Sequence, residues 1–350
     1  MSSTNERRVS ERRKRGRREL RGRTVTSCET PVVLLLYNRP DTTAQVVERL
    51  AAVEPETVYV VADGPVDAED AERCRAARAV VEEGIDWPCE LHRRYRDRNH
   101  GVSSIAKGLD WVFGREREAI VLEDDCVPND SFFAFCEAML ERYRDDERIM
   151  SVNGTNRLES WKDDRQDYHF VTYQGVWGWA TWRRAWRAYD QEMQKWTDPE
   201  VRDRVRDVIC DDEQFAYRYE RFQKRYEGNS VAWSKPWRFA ITVNNGLSVV
   251  PSKNLVSNVG FDERGIHTTD PDSDLAEIPR YEHSPWYEGP GHVMPDRQYE
   301  RRYFERFERT TEREEAVERG VRHAKGVGAR VLPEGVKNVL KRRFGLGYST

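Results

Sequence analysis

Continuous apolar runs alternate with amphipathic segments through the first third of the chain. Runs at 31–37, 57–63 and 119–123 read PVVLLLY, TVYVVAD and AIVLE, and a weaker run, CELHRRY, follows at 89–95. Short unbroken apolar runs are typical of strands buried on both faces. The segments between them have the apolar spacing of helices, at about 41–53, 68–83 and 102–113. This alternation predicts an α/β fold with a parallel sheet and helices on both faces.

The pattern changes after residue 125. The spacing predicts helices over 132–143 and 238–245, one long charged helix over about 198–226, and strands at 149–152 and 247–250. Residues 154–170 are polar and predict a loop, and residues 173–189 are dense in tryptophan. We therefore expect the second half to be mainly helical and rich in tryptophan.

Composition excludes several classes of protein. The chain has 350 residues, of which 38% are hydrophobic and 34% charged, with a formal net charge of −4. This balance gives no general attraction to nucleic acid, and no apolar run is long enough for a membrane span. Neither a signal sequence nor paired cysteines are evident, so we expect reduced thiols and a cytoplasmic protein, or one peripheral to the inner membrane face.

The two ends of the chain differ from its middle. Residues 6–23 hold ten Arg or Lys against three Glu, which predicts a disordered basic arm over 1–29. Residues 291–350 predict a basic helical extension, in which PEGVKNVLKRRFG at 333–345 is amphipathic. Such a helix either lies on an anionic membrane surface or packs on its own domain; the sequence leaves both open.

Three adjacent acids follow the predicted strand at 119–123. Glu123, Asp124 and Asp125 end that run and precede a turn at Pro128. Neighbouring carboxylates repel one another, and Mg²⁺ or Mn²⁺ would relieve the repulsion through one or two carboxylates plus substrate phosphates. The alternative is a solvated acidic turn.

Polar residues also end the neighbouring strands. Arg39 follows the first strand, Asp63 follows the second, and Asn99 precedes the helix that begins at about 102. Ligands of open α/β sheets bind at the carboxyl ends of strands, so these side chains predict a nucleoside diphosphate pocket. The alternatives are a surface ion pair for Arg39 and ordinary turns for Asp63 and Asn99.

Trp177, Trp179 and Trp233 are the candidates for stacking on a sugar ring, although most of the tryptophans are expected in the core. Neither a GxxxxGK[ST] loop nor a GxGxxG loop is present, which argues against P-loop and ordinary dinucleotide enzymes.

Seven segments together resemble a known family: LLLYNRPDTT (34–43), VVADGP (60–65), IVLEDDCVP (120–128), FFAFCEAMLERYRDDERIM (132–150), VWGWATWRRAW (176–186), NNGLSVVPSKNLVSNVGF (244–261) and HTT (267–269). They resemble GT-A-fold, nucleotide-sugar-dependent glycosyltransferases of the bacterial and archaeal hemolytic-protein-like or family-2-like branch. They are more distantly similar to the N-acetylglucosaminyltransferase I type. The resemblance covers about 31–285. It implies a mainly parallel Rossmann-like sheet over 30–290, with a nucleotide-sugar half (30–126) and an acceptor half (127–290).

The resemblance also implies roles for single residues. Asp125 would bind the metal, Mn²⁺ or Mg²⁺, while Asp124 and Glu123 lie near the ribose and the waters of the metal. Asp63 would hold the base and Arg39 the diphosphate. His267 would lie near the metal or the diphosphate; its alternative is a surface histidine in a loop.

The chain departs from the family at Ser234. A W-D-x-Q-W motif is usual where this sequence has WSKPW at 233–237. Inverting transfer needs a carboxylate base to deprotonate the acceptor, and serine is a poor base. The candidates upstream are Asp211, Asp212 and Glu213; otherwise the acceptor chemistry is altered or catalysis is lost.

The function implied is metal-dependent, inverting transfer of a sugar, from a nucleoside diphosphate sugar of UDP type to a hydroxyl of a glycan or lipid-linked acceptor. Two alternatives stay open. One is a sugar nucleotidyltransferase, although the expected Gly-rich basic N-terminal loop is missing. The other is a non-catalytic nucleotide-sugar-binding protein, which Ser234 motivates.

Overall fold

A computed structural model describes residues 28–172, 175–230, 232–262, 273–276, 278–283 and 287–309. The chain divides into two compact units, Met1–Arg297 and Gln298–Thr350. Most of the predicted N-terminal arm, His267 and the basic segment 333–345 lie outside the described residues, so those predictions stay predictions.

The order of elements in the first unit follows the predicted alternation. Its strands are β1 Val32–Leu36, β2 Thr57–Ala62, β3 Glu90–Tyr95, β4 Glu118–Glu123, β5 Cys126–Pro128, β6 Ile149–Asn153, β7 Tyr168–Val171, β8 Trp179–Trp182, β9 Leu247–Pro251 and β10 Val256–Asn258. Its helices are α1 Pro40–Ala51, α2 Ala68–Gly84, α3 Val102–Phe113, α4 Asp130–Arg142, α5 Arg183–Trp186, α6 Pro199–Ile209, α7 Asp212–Tyr226 and α8 Ser234–Val243, with a 3₁₀ turn at Gln194–Thr197.

Eight strands form one sheet in the order β3-β2-β1-β4-β8-β6-β9-β7. The first four are mutually parallel, β6 is parallel to β9, and β8 and β7 run antiparallel to their neighbours. β5 and β10 form a separate antiparallel pair. The predicted α/β class, with a mainly parallel sheet flanked by helices, is confirmed.

Both faces of the sheet are covered. Val32, Leu34 and Leu36 of β1 point into one core, together with apolar residues of α1, α2 and α4. Val33 and Leu35 point into the other, together with α3 and α8. A side chain of this size contributes roughly 1.5–3 kcal/mol when fully buried, so the unbroken apolar runs fix the strands in the centre.

Two expectations about the second half were wrong, and one segment without a predicted element proved to be a strand. The long charged helix is two helices, because Cys210 adopts a left-handed conformation (φ 57°) and Asp211 caps α7. The polar segment 154–170 is not all loop, since β7 begins at Tyr168. The tryptophan-dense segment contains β8, a strand inserted between β4 and β6, so pairing in the sheet decides its conformation.

In the second unit the structure describes residues 298–309. Helix α9, Arg297–Tyr303, begins at the boundary between the units and is followed by a π-helical turn at Phe304–Glu308. The rings of Tyr299 and Tyr303 stack with centroids 6.3 Å apart. Among the helices of the described residues, none has the length and apolarity that a membrane span requires.

His169 gives the stability of the fold a specific dependence on pH. Its ring is buried in β7, and burial lowers its pKa from 6.5 to about 3. The neutral ring is therefore favoured in the folded state, and this stability is present above pH 6.5 and lost as the pH falls towards 3. From pH 7 to pH 5 the loss is about 2 kcal/mol, at about 1.4 kcal/mol per pKa unit.

We expect His169→Gln to remove that part of the pH dependence. Urea unfolding of wild type and variant at pH 7 and pH 5 measures it, because other titrating groups contribute equally to both proteins. The same loss of stability on acidification in both proteins would contradict the assignment.

Candidate functional site

The acid triplet lies where the central sheet meets the small one. β4 ends at Glu123, and Asp124 and Asp125 connect it to β5, whose Cys126 pairs with Asn258 of β10. The backbone of Asp125 is also held directly, because its carbonyl accepts a hydrogen bond from Val259 N–H at 2.9 Å. The triplet is thus anchored at both ends, at the carboxyl edge of the parallel strands.

Burial and crowding raise the pKa values of two of these acids. For Glu123 burial is the main cause, followed by the charges of Asp125 and Asp124, while a hydrogen bond from Trp233 opposes them. For Asp124 the causes are burial and then Asp125, opposed by the backbone N–H of Tyr37, which donates to Oδ2 at 2.9 Å. Ionising all three carboxylates is therefore unfavourable without a cation.

Arg39 supplies one positive charge to the cluster. Its Nη1 lies 3.2 Å from Asp125 Oδ2 and donates to Gly260 O at 3.5 Å, and its Nη2 lies 4.0 Å from Asp262 Oδ1. The Arg39 side chain is 10% exposed. Pro40 begins α1 and Thr43 Oγ1 donates to the Arg39 carbonyl at 2.6 Å, so the start of that helix fixes the position of Arg39. The structure thus joins the end of β1 to the triplet, as the sequence predicted.

A segment from the far end of the unit completes this cluster. A Cβ atom at Gly260 would lie 2.2 Å from Asp125 Oδ2 and 2.5 Å from Arg39 Nη1. Asn258 Oδ1 accepts from Gly260 N–H at 2.8 Å and holds the glycine in place. Sequence reasoning missed Gly260 and Asp262 as site residues. The available signal was the segment at 244–261, which is part of the family resemblance. It contains Gly260 and ends one residue before Asp262.

Asp63 and Asn99 lie at the same edge and bind each other's loops. Both carboxylate oxygens of Asp63 accept from His100 N–H, at 3.0 and 3.1 Å. Asn99 donates to Gly64 O at 3.1 Å and accepts from Gly101 N–H at 3.0 Å. The alternative reading of both as turn residues therefore has direct support, and their contacts with a nucleotide stay predictions.

Asp70, in α2, contacts the residues that follow β1, and the sequence did not predict this role. It accepts hydrogen bonds from Tyr37 Oη and Asn38 Nδ2, and from Val66 N–H at 3.0 Å. Burial acts to raise its pKa, but these hydrogen bonds together with Arg73 lower it. The ionised carboxylate thus holds the side chains of the two residues immediately before Arg39.

The predicted sugar-stacking tryptophans differ in burial. Trp179 is 0% exposed and packs against Trp233 and Trp237, so it belongs to the core and the expectation that it faces a sugar was wrong. Trp233 is also buried, next to Glu123. Trp177 is half-buried, with Arg157 4.0 Å above its ring and Phe261 5.7 Å away edge-on. Since Phe261 follows Gly260, Trp177 lies beside the acid cluster.

Among the contacts of the described residues, none links the candidate bases Asp211, Asp212 and Glu213 to the acid cluster. Asp211 caps α7 by accepting from Gln214 N–H at 3.0 Å, Asp212 pairs with Arg206 at 2.8 Å, and Glu213 is exposed. Asp262, with its side chain 34% exposed and 4.0 Å from Arg39, is a carboxylate that does lie beside the cluster. Ser234 begins α8 directly after Trp233.

The donor set fits a hard divalent cation only with help from a ligand. Within the described ranges, no three Asp, Glu, His or Cys side chains converge in a way that holds a metal by themselves. However, Oε1 of Glu123 is buried without a hydrogen-bond partner in the same ranges, and Asp125 presents a second carboxylate. Mg²⁺ is commonly held by one or two carboxylates plus substrate phosphates, and these residues meet that requirement.

Comparison with known proteins gives only distant likenesses. No protein-family model matches the chain, and no curated protein sequence matches it either.

Among solved structures, a cytidylyltransferase from Leptospira borgpetersenii is 10% identical with a TM-score of 0.30, over 46% of this chain and 64% of its own. A mannosyltransferase from Pyrobaculum calidifontis, in complex with GDP-Man and Mn²⁺, is 14% identical with a TM-score of 0.29, over 48% of this chain and 50% of its own. Mouse xyloside xylosyltransferase 1 is 10% identical with a TM-score of 0.29, over 61% of this chain and 81% of its own. Scores at this level are too low to assign the fold of any of them to this chain.

Proposed function

We propose that this protein transfers a sugar from a nucleoside diphosphate sugar to a hydroxyl acceptor, with Mn²⁺ or Mg²⁺ at the acid triplet. The observation that carries the proposal is the contact between Arg39 and Asp125. It brings a guanidinium, which suits diphosphate oxygens, onto a carboxylate of the triplet. In the same triplet, the buried Oε1 of Glu123 accepts no hydrogen bond from any residue that the structure describes. A carboxylate and a guanidinium in contact can bind a metal–diphosphate pair, with the carboxylate on the metal and the guanidinium on the diphosphate.

Each residue has a defined task in this proposal. Asp125 and Glu123 offer oxygens to the metal, and Arg39 binds the diphosphate. When bound, the metal stabilises the negative charge that develops on the leaving diphosphate. The loops of Asp63 and Asn99 are the predicted walls for the nucleoside, and Trp177 is the proposed surface for a sugar ring.

The acceptor hydroxyl must lose a proton as the glycosidic bond forms, and a carboxylate is the usual base. Asp262 has the better position for this task, because it lies beside Arg39. Asp211, Asp212 and Glu213 stay as the candidates that the sequence predicted. Inversion of configuration is a proposal drawn from the family resemblance alone.

Calorimetry with a panel of nucleoside diphosphate sugars tests the function. We expect one donor to bind in the presence of Mn²⁺ and to bind at least about tenfold more weakly in EDTA, because the carboxylates then repel the diphosphate. Equal affinity in both conditions would overturn the metal site.

The reaction of the donor that binds then distinguishes a transferase from the two alternative functions. Slow hydrolysis of the donor in the absence of acceptor is expected of a transferase. Tight binding without hydrolysis would indicate the non-catalytic alternative that Ser234 motivates. Release of pyrophosphate from a nucleoside triphosphate and a sugar phosphate would indicate a nucleotidyltransferase.

A further inference from the structure

A second concave site lies where β3 leaves the sheet. It has a volume of about 360 Å³ and is lined by Arg94, Tyr95, Arg96, Asp97, Arg98 and His100. The lining comes from the end of β3 and the loop that leads into α3. None of these residues belongs to the acid triplet or to its contacts with Arg39 and Gly260.

Positive charge is in excess in this pocket. Three arginines line it against one acid, Asp97, and none of the ion pairs within the described ranges involves Arg94, Arg96 or Arg98. Arg94 donates to the Lys107 carbonyl at 2.9 Å. Burial lowers the pKa of Arg94, and the charges of Arg96 and Arg115 lower it further, while the charge of Asp110 opposes them. The positive charges therefore reinforce one another and attract an anion.

Arg96 supplies the most direct indication of a ligand. Its Nε and Nη2 are buried and have no hydrogen-bond partner within the described ranges. Buried guanidinium N–H groups without acceptors are unfavourable, so this arrangement needs a compensating contact. These two nitrogens form one edge of the planar guanidinium, the edge that binds two oxygens of a phosphate at once.

The walls of the pocket are rigid before any ligand binds. The Arg96 carbonyl accepts from Arg78 Nη2 at 2.7 Å, and the His100 N–H is held by Asp63. A Cβ atom at Gly64 would lie 2.3 Å from the backbone nitrogen of Arg98, so the glycine lets the two loops pack directly against each other. The backbone of the cavity is therefore held in place before an anion binds, and the buried guanidinium of Arg96 has to turn towards the cavity to meet the anion.

We propose that this pocket binds a phosphate group, as a phosphomonoester or pyrophosphate, through Nε and Nη2 of Arg96, with Arg94 and Arg98 neutralising its charge. Binding here requires no metal and does not rest on the proposed transferase activity. The phosphate has two sources: a nucleotide bound at the neighbouring strand ends, or a separate phosphorylated molecule.

Pyrophosphate titrated into the full-length protein in EDTA tests the proposal. We expect Arg96→Met to weaken binding at least about tenfold, since it removes both donors and keeps a similar length. The matched control is Arg75→Met, an exposed arginine of α2 that contacts only its own helix carbonyl at Ala71; it should bind as wild type does.

Thermal unfolding distinguishes a binding role from a structural one. Because Arg96→Met removes buried unpaired donors, the ligand-free variant should melt at the same temperature as wild type or higher. It should also lose the stabilisation that pyrophosphate gives. Undiminished binding by Arg96→Met, no binding by wild type, or a ligand-free variant that melts well below wild type would overturn the proposal.

Saturation with a nucleoside diphosphate and Mn²⁺ identifies the source of the phosphate. Competition with pyrophosphate would show that the nucleotide's own phosphate reaches the pocket, and unchanged pyrophosphate affinity would show a separate ligand. Either result supports the pocket. Because the first titration contains no metal, its failure is distinguishable from failure of the transferase proposal.

Discussion

Asp125→Asn is expected to reduce sugar transfer at least about a thousandfold, which corresponds to about 4 kcal/mol of transition-state stabilisation. The substitution keeps the size of the side chain but removes the negative charge that would bind the metal opposite the leaving diphosphate. After burial, the charge of Asp125 is the largest cause of the raised pKa values of Glu123 and Asp124. The variant therefore relieves repulsion in the ligand-free cluster while it loses the ion pair with Arg39.

Because relief of the carboxylate repulsion offsets loss of the ion pair with Arg39, we expect Asp125→Asn to change the free energy of unfolding little. Turnover with the donor found by calorimetry is the measurement, alongside a thermal unfolding curve. Asp130→Asn is the matched control, because Asp130 is an exposed acid five residues away that pairs with Arg49. Retention of turnover within about tenfold of wild type would show that the charge of Asp125 is not needed for the reaction.

Gly260→Ala is expected to weaken metal-dependent donor binding about a hundredfold with a modest loss of stability. The added methyl group would overlap Asp125 Oδ2 and Arg39 Nη1. Both atoms end side chains, but Asp125 Cβ would also lie only 2.8 Å away, so the whole Asp125 side chain has to shift. Their movement separates the two charges that the donor and metal require, and misplacement of binding groups by about 1 Å has effects of this size.

Calorimetry with Mn²⁺ and urea unfolding measure the two halves of this expectation. Gly291→Ala is the control, because a Cβ atom there meets nothing within 4 Å. Normal donor affinity in Gly260→Ala would mean that the contact between Arg39 and Asp125 is not the binding geometry. A large fall in unfolding free energy would mean that Gly260 acts on the fold instead.

Local sequence pattern was sufficient for the parallel half of the sheet. β1, β2 and β4 are unbroken apolar runs because both of their faces are buried, and that pattern leaves few alternatives. The pattern failed where sheet pairing or a single backbone conformation decides the outcome. β8 carries tryptophans that also suit a helix, and the break between α6 and α7 depends on a left-handed Cys210, which its side chain does not signal.

The site was predictable to the extent that it depends on strand ends. Arg39 and the triplet meet because β1 and β4 are adjacent and parallel, which the alternation of elements implies. Asp70, Gly260 and Asp262 were not predictable in the same way, because their contacts depend on how distant segments fold over that edge. The cationic pocket was missed because alternate arginines at the end of β3 are equally typical of a solvated surface.

In the proposed transferase, the ion pair between Arg39 and Asp125 would make the entry of metal and donor interdependent. A divalent ion arriving alone would displace the guanidinium from its carboxylate, and a diphosphate arriving alone would meet an arginine already committed to an acid. If both ligands arrive together, the metal would replace Arg39 at Asp125 and the diphosphate would replace Asp125 at Arg39. Every buried charge would then keep a counter-charge. In that proposal Arg39 would neutralise Asp125 until the ligands arrive, and by reciprocal linkage each ligand would raise the affinity for the other.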